Sequence, residues 1–189
     1  MGFVVLILGL ALWAGLHLCK PLAPAFRSAL QDRLGDGSKG LIALGLVLSV
    51  VLMWWGYRSA ALVVIWTSPS WMTHLNNLLM LLAFYMFLTT ATKPGTAFMF
   101  GNLKNPQLTG FKVWAVAHLL VNGDLAALIL FGGLLAWAVA EVIVAKRRPS
   151  AVDRTTAPIG SPWVHLALVL VAFAGVAALH SWLGRWPFG

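Results

Sequence analysis

The chain has 189 residues, 60% of them hydrophobic and only 10% charged, with a mean hydropathy of +0.87. A soluble globule cannot cover itself with so little polar surface, so the composition excludes a soluble enzyme and predicts an all-α integral membrane protein. The net charge of +8 does not point to nucleic acid, because the basic residues sit in short clusters between apolar runs; they read as topology signals, and the partner they imply is the lipid bilayer.

The first apolar run, 3–18, follows only Met1 and Gly2. It lacks the basic leader of a cleavable signal peptide and is expected to stay as a membrane span. His17 lies about one turn from its end. Cys19 is the single cysteine; it has no intramolecular disulfide partner and reads as a small buried hydrophobe. A basic loop with Lys20, Arg27, Arg33 and Lys39 leads to a second span at 41–57. Residues 60–71, with Trp66, Ser68-Pro69-Ser70 and Trp71, read as an interfacial or partly re-entrant piece rather than a further span. His74 opens a third span, 74–91. The stretch 106–121 has 16 residues, about 24 Å of helix against roughly 30 Å of hydrocarbon, and is a short fourth span. Spans at 125–145 and 163–183 complete the set, the last with His165 at one end and His180 at the other.

Charge decides whether 106–121 crosses. With six spans, eleven of the 13 Lys and Arg residues fall on one side and only Arg58 and Arg185 on the other; with five, the division is eight against five. Cytoplasmic loops retain Lys and Arg, so the six-span bundle with both termini on the outer side is the expected architecture, a single transmembrane domain over 1–189.

Polar residues inside apolar runs mark the candidate sites. In the segment VWAVAHLLVNGDLAAL, the Asn122-Gly123-Asp124 turn supplies helix punctuation, with Asp124 capping the fifth span. The same residues also read as part of a polar cluster of His118, Asn122, Asp124 and His180 beneath the outer surface, fit for proton or substrate handling or for holding helices together. Trp13-Ala14-Gly15-Leu16-His17 and Trp114-Ala115-Val116-Ala117-His118 share the pattern W-A-x-x-H, which puts Trp and His one turn apart on one helical face. No zinc-protease, covalent-haem, nucleotide-binding or nucleophile-elbow motif is present. Five histidines and six methionines in an apolar bundle instead suit non-covalent haem, which needs apolar walls and axial imidazoles.

The segment Asn105-Pro106-Gln107-Leu108-Thr109-Gly110 running into Trp114-Ala115-Val116-Ala117-His118-Leu119-Leu120-Val121-Asn122-Gly123-Asp124 resembles the HPQL…LWALAHLLANGD signature of the NnrU family of bacterial inner-membrane proteins. Gly15-Leu16-His17, Ile65-Trp66 and Leu130-Phe131-Gly132-Gly133 extend the resemblance over most of the chain. It implies a polytopic protein linked to nitrite and nitric oxide metabolism in denitrification. The family is also similar to the zeta-carotene isomerases of plants and cyanobacteria, which carry haem b. Their proposed haem ligands are a first-span His, which maps to His17, and the His of an RHPQ motif, which maps to Asn105. An amide is a poor iron ligand, so haem b here is expected to use His17 with His165, the other inner-layer histidine, or His17 alone with an open iron position for nitric oxide. Asn105 is otherwise accounted for as a helix N-cap before Pro106.

Three further readings compete. The first is a non-enzymatic accessory or assembly subunit partnered by a respiratory membrane complex. The second is a haem-dependent enzyme of the carotenoid-isomerase type. The third is a small transporter with an inverted repeat, suggested by the two W-A-x-x-H segments.

Overall fold

The computed structural model describes residues 1–145 and 154–188; Lys146, Arg147 and Arg148 of the last basic loop lie outside the described residues. Seven helices follow in order: α1 (Gly2–Leu22), α2 (Pro24–Leu34), α3 (Gly37–Ser59), α4 (Met72–Thr89), α5 (Pro106–Val121), α6 (Leu125–Ala145) and α7 (Pro162–Trp182). Five of them, α1, α3, α4, α6 and α7, are long and apolar enough to cross a membrane. At 16 residues α5 falls short of that length, although its bounds are those expected from the sequence.

The fold corrects the sequence reading at 20–39. That stretch, read as a basic loop, contains α2. Pro24 opens this helix at a position that tolerates a missing N–H. Arg27 Nη1 donates to Ser38 Oγ at 3.1 Å and Ser38 Oγ donates to Gln31 Oε1 at 2.5 Å, so a buried serine ties α2 to the first turn of α3.

The chain forms two compact units, 1–66 with 124–137 and 67–123 with 138–189. In the first, α1 and α3 lie so close that a Cβ on Gly56 would collide with the Leu6 backbone, and one on Gly9 would come within 2.8 Å of Met53 N. Small residues permit this approach where water supplies no driving force between apolar helices. Ser49 is buried in the same unit and satisfied by the Leu46 carbonyl at 2.6 Å. Residues 60–66 are not helical. Val64 makes a single antiparallel bridge to Asp124, and Leu125 N donates to Val63 O at 2.8 Å.

In the second unit α5 packs on α4, where a Cβ on Gly110 would sit 2.6 Å from Ala83 O. α7 packs on the same α4 through Phe84 and Phe173, whose rings meet edge to face at 6.3 Å. Among residues 90–105 and 154–161 the chain is held by Lys93 N to Ile159 O at 2.9 Å and Ile159 N to Ala91 O at 3.0 Å. Outward faces of the long helices carry large apolar side chains, such as Leu44, Val47, Leu78 and Val171, as lipid contact requires.

Candidate functional site

The first unit gathers two indoles around His17. Helical spacing puts Trp13 and His17 one turn apart on α1, and His17 Nδ1 lies 3.0 Å from the Trp13 carbonyl. A carbonyl only accepts, so Nδ1 carries the proton and Nε2 keeps its lone pair. The imidazole packs on Trp13 at 4.2 Å and meets Trp137 of α6 edge-on at 4.7 Å, while the two indoles meet edge to face at 5.3 Å. His17 is half-buried, and its Nε2 makes no hydrogen bond among the described residues. Trp13 Nε1 is buried without a partner. An apolar hollow lined by Ala14, Gly15, Leu18, Cys19, Leu22 and Ala23 opens on the neighbouring side of α1.

The second W-A-x-x-H segment folds the same way in the other unit. His118 Nδ1 donates to Trp114 O at 3.0 Å, and the two rings lie 5.0 Å apart. Asn122 Nδ2 donates to His118 O at 2.8 Å, which closes the end of α5. His180 Nδ1 donates to Val176 O at 2.8 Å, and its imidazole lies within electrostatic range of His118. Asp124 performs the capping role expected of it: Oδ1 accepts from Ala127 N at 2.9 Å at the start of α6.

His165 differs from all three. It is fully buried, its ring lies 4.5 Å from that of Tyr85, and Nε2 donates across to Tyr85 O at 3.2 Å. That bond leaves the lone pair on Nδ1, which is buried with no partner. The Nε2 nitrogen, the one remote from the backbone, is therefore already committed. Asn105 does occupy the N-cap position before Pro106, but its side chain makes no capping hydrogen bond. Its carbonyl instead accepts from Thr109 N at 3.0 Å and Thr109 Oγ1 at 2.9 Å. The expected cap is thus a matter of backbone position and not of the amide.

Among the described residues no three His, Cys, Asp or Glu side chains gather to hold a metal ion. A single imidazole presented among indoles is a different kind of donor, suited to a macrocyclic cofactor that brings its own equatorial ligands.

Comparison with known proteins bears on this geometry. The family model described as NnrU protein matches residues 5–187. The chain belongs to the NnrU family. No curated protein and no solved structure matches it. The NnrU match takes in both W-A-x-x-H segments and the Asn105 to Asp124 signature, and membership suggests a denitrification-associated, multi-pass membrane protein.

In this NnrU-family chain two residues, one beside His17 and one beside His165, were not singled out from the sequence. Trp137 sits mid-helix in α6, where an indole has no headgroup layer to meet, and that misplacement is the signal that would have found it. Tyr85 carried no such signal, because its partner His165 is 80 residues away.

Proposed function

We propose that this NnrU-family member crosses the membrane six times, with α5 as the short span and both termini outside, and binds haem b non-covalently, with His17 as the residue that would hold its iron. The observation that carries the haem reading is the Trp13 carbonyl on His17 Nδ1 at 3.0 Å. A backbone carbonyl on the far nitrogen fixes tautomer and ring orientation and raises the basicity of the ligating one, the usual outer-shell arrangement of a metal-binding histidine. Trp13 and Trp137 provide an apolar wall, and the buried Trp13 Nε1 is a donor with nothing yet to bond. The residues present therefore fit the group.

His165 fits less well than the sequence reading supposed. Its Nε2 would have to leave Tyr85 O, and Nδ1 lies hard against its own backbone. Asn105 contributes no ligand.

Haem b, when bound, would supply an iron able to accept an imidazole nitrogen and nitric oxide. This chain's own residues do the rest: the Trp13 carbonyl holds a proton on Nδ1, the indoles pack against the imidazole, and the helix fixes the ring. The family's association with denitrification makes nitric oxide the ligand to try first. The reading is tested by absorption spectra of detergent-purified protein, oxidised and dithionite-reduced, with and without nitric oxide. A Soret band that His17→Ala abolishes supports it. A colourless wild type after haem supplementation during expression leaves the accessory-subunit reading, which the thin polar inventory also accommodates.

A further inference from the structure

Residues 93–105 join the end of α4 to the start of α5, and Trp163 stands beside them in the first turn of α7. The segment is built rather than slack. Arg154 donates to Thr89 O at 3.1 Å and, more closely, to Gly101 O, while Met99 N donates to Tyr85 Oη at 3.1 Å. Phe100 takes a φ of 59°, a left-handed conformation that a bulky residue adopts only when its surroundings impose it. Its ring is turned toward Tyr85, 6.3 Å away.

Phe100 keeps 36% of its surface exposed, and the neighbouring side chains are more open still. Phe98 is 55% exposed, Met99 54% and Trp163 69%, and the Phe98 and Trp163 rings brace each other edge to face at 5.1 Å. A contiguous apolar patch of this kind marks a membrane or protein contact rather than a surface meant for water. Lys93 and Lys104 are exposed at the two ends of the segment, and no Asp or Glu occurs anywhere from 67 to 123. Aromatic rings flanked by uncompensated lysines, at a level fixed by three helix ends, match the boundary between acyl chains and anionic headgroups.

We infer that the 93–105 segment is a membrane-interface anchor, in which Phe98, Met99 and Trp163 enter the acyl boundary while Lys93 and Lys104 pair with anionic phospholipid headgroups. The occupant is the bilayer itself, because the charge within 67–123 is all of one sign and the patch adjoins helices with lipid-facing apolar surfaces. A folded partner protein at the same surface is the competing occupant.

The test uses the full chain with Cys19→Ser and Met99→Cys, labelled with an environment-sensitive dye and reconstituted in nanodiscs of phosphatidylcholine alone or mixed with phosphatidylglycerol. The expected result is blue-shifted emission, quenching by brominated acyl chains, shielding from iodide, and a gain in quenching with phosphatidylglycerol that is lost on Lys93→Gln with Lys104→Gln. A dye that iodide reaches and bromolipid does not quench overturns the anchor and leaves the surface to a protein partner. Quenching that is equal in the two lipids, or a phosphatidylglycerol gain that survives loss of both lysines, overturns the anionic-headgroup pairing.

Discussion

His17 and His165 both stand close to an end of their helices, yet they bond through opposite nitrogens. His17 turns Nδ1 back on its own helix, to the carbonyl one turn before it, and sends Nε2 outward among indoles. His165 sends Nε2 across to the α4 backbone and keeps a bare Nδ1 in the core. One ring is anchored so that its remote nitrogen can be used; the other uses its remote nitrogen as the anchor. Depth in a membrane helix therefore says little about what a histidine does, whereas the nitrogen engaged by the first hydrogen bond says a great deal.

The contrast is sharpened most by spectroscopy of the haem-loaded protein: His17→Ala is expected to remove the Soret band entirely, and His165→Phe to retain it. The reverse result would exchange the roles assigned to the two rings. In cofactor-free protein, nitrogen NMR of labelled histidines is expected to find opposite neutral tautomers, Nδ1–H at His17 and Nε2–H at His165; a shared tautomer breaks the comparison.

Stability follows in size. His165→Ala leaves a cavity in a fully packed site and removes a hydrogen bond, and should cost about 2–4 kcal/mol. His17→Ala, at a half-buried ring, should cost roughly 1 kcal/mol. Detergent thermal melts that rank the two variants the other way would contradict the burial argument. The smallest effect is expected from Tyr85→Phe, which takes the acceptor from Met99 N but keeps the backbone carbonyl that holds His165. A loss of about 0.5 kcal/mol with an unchanged Soret band is the expected outcome, and an altered band would show that the His165 side reaches the cofactor.

Much of the helical plan was legible because a membrane span announces itself by length and apolarity. The limits of α5 and α6 could be read directly: Pro106 and the Asn122-Gly123-Asp124 turn are punctuation whose meaning is local, and the Asp124 bond to Ala127 N is decided within four residues. The helix α2 was missed because its polar sequence carries no run of apolar residues, and what holds it is the buried Ser38 reached by Arg27 and Gln31. The Trp13–His17 and Trp114–His118 pairs were legible as faces of one helix. Their tautomer became readable only with the carbonyl distances. Tyr85 under His165 was hidden, since that contact joins helices far apart in sequence, whereas Trp137 offered its mid-helix position as a signal but not its partner His17.

The brevity of α5 has a mechanical consequence. At 16 residues it is about 24 Å long, and if it crosses as proposed it is roughly 6 Å shorter than the hydrocarbon of an average bilayer. Such a mismatch is relieved by local thinning of the lipid or by polar groups near the helix ends reaching into it, and Lys104 and Asn122 stand at those ends. The protein would then carry a dimple in the bilayer with it, and the acyl-chain length of the surrounding lipid becomes a variable acting on the helix that presents Trp114 and His118.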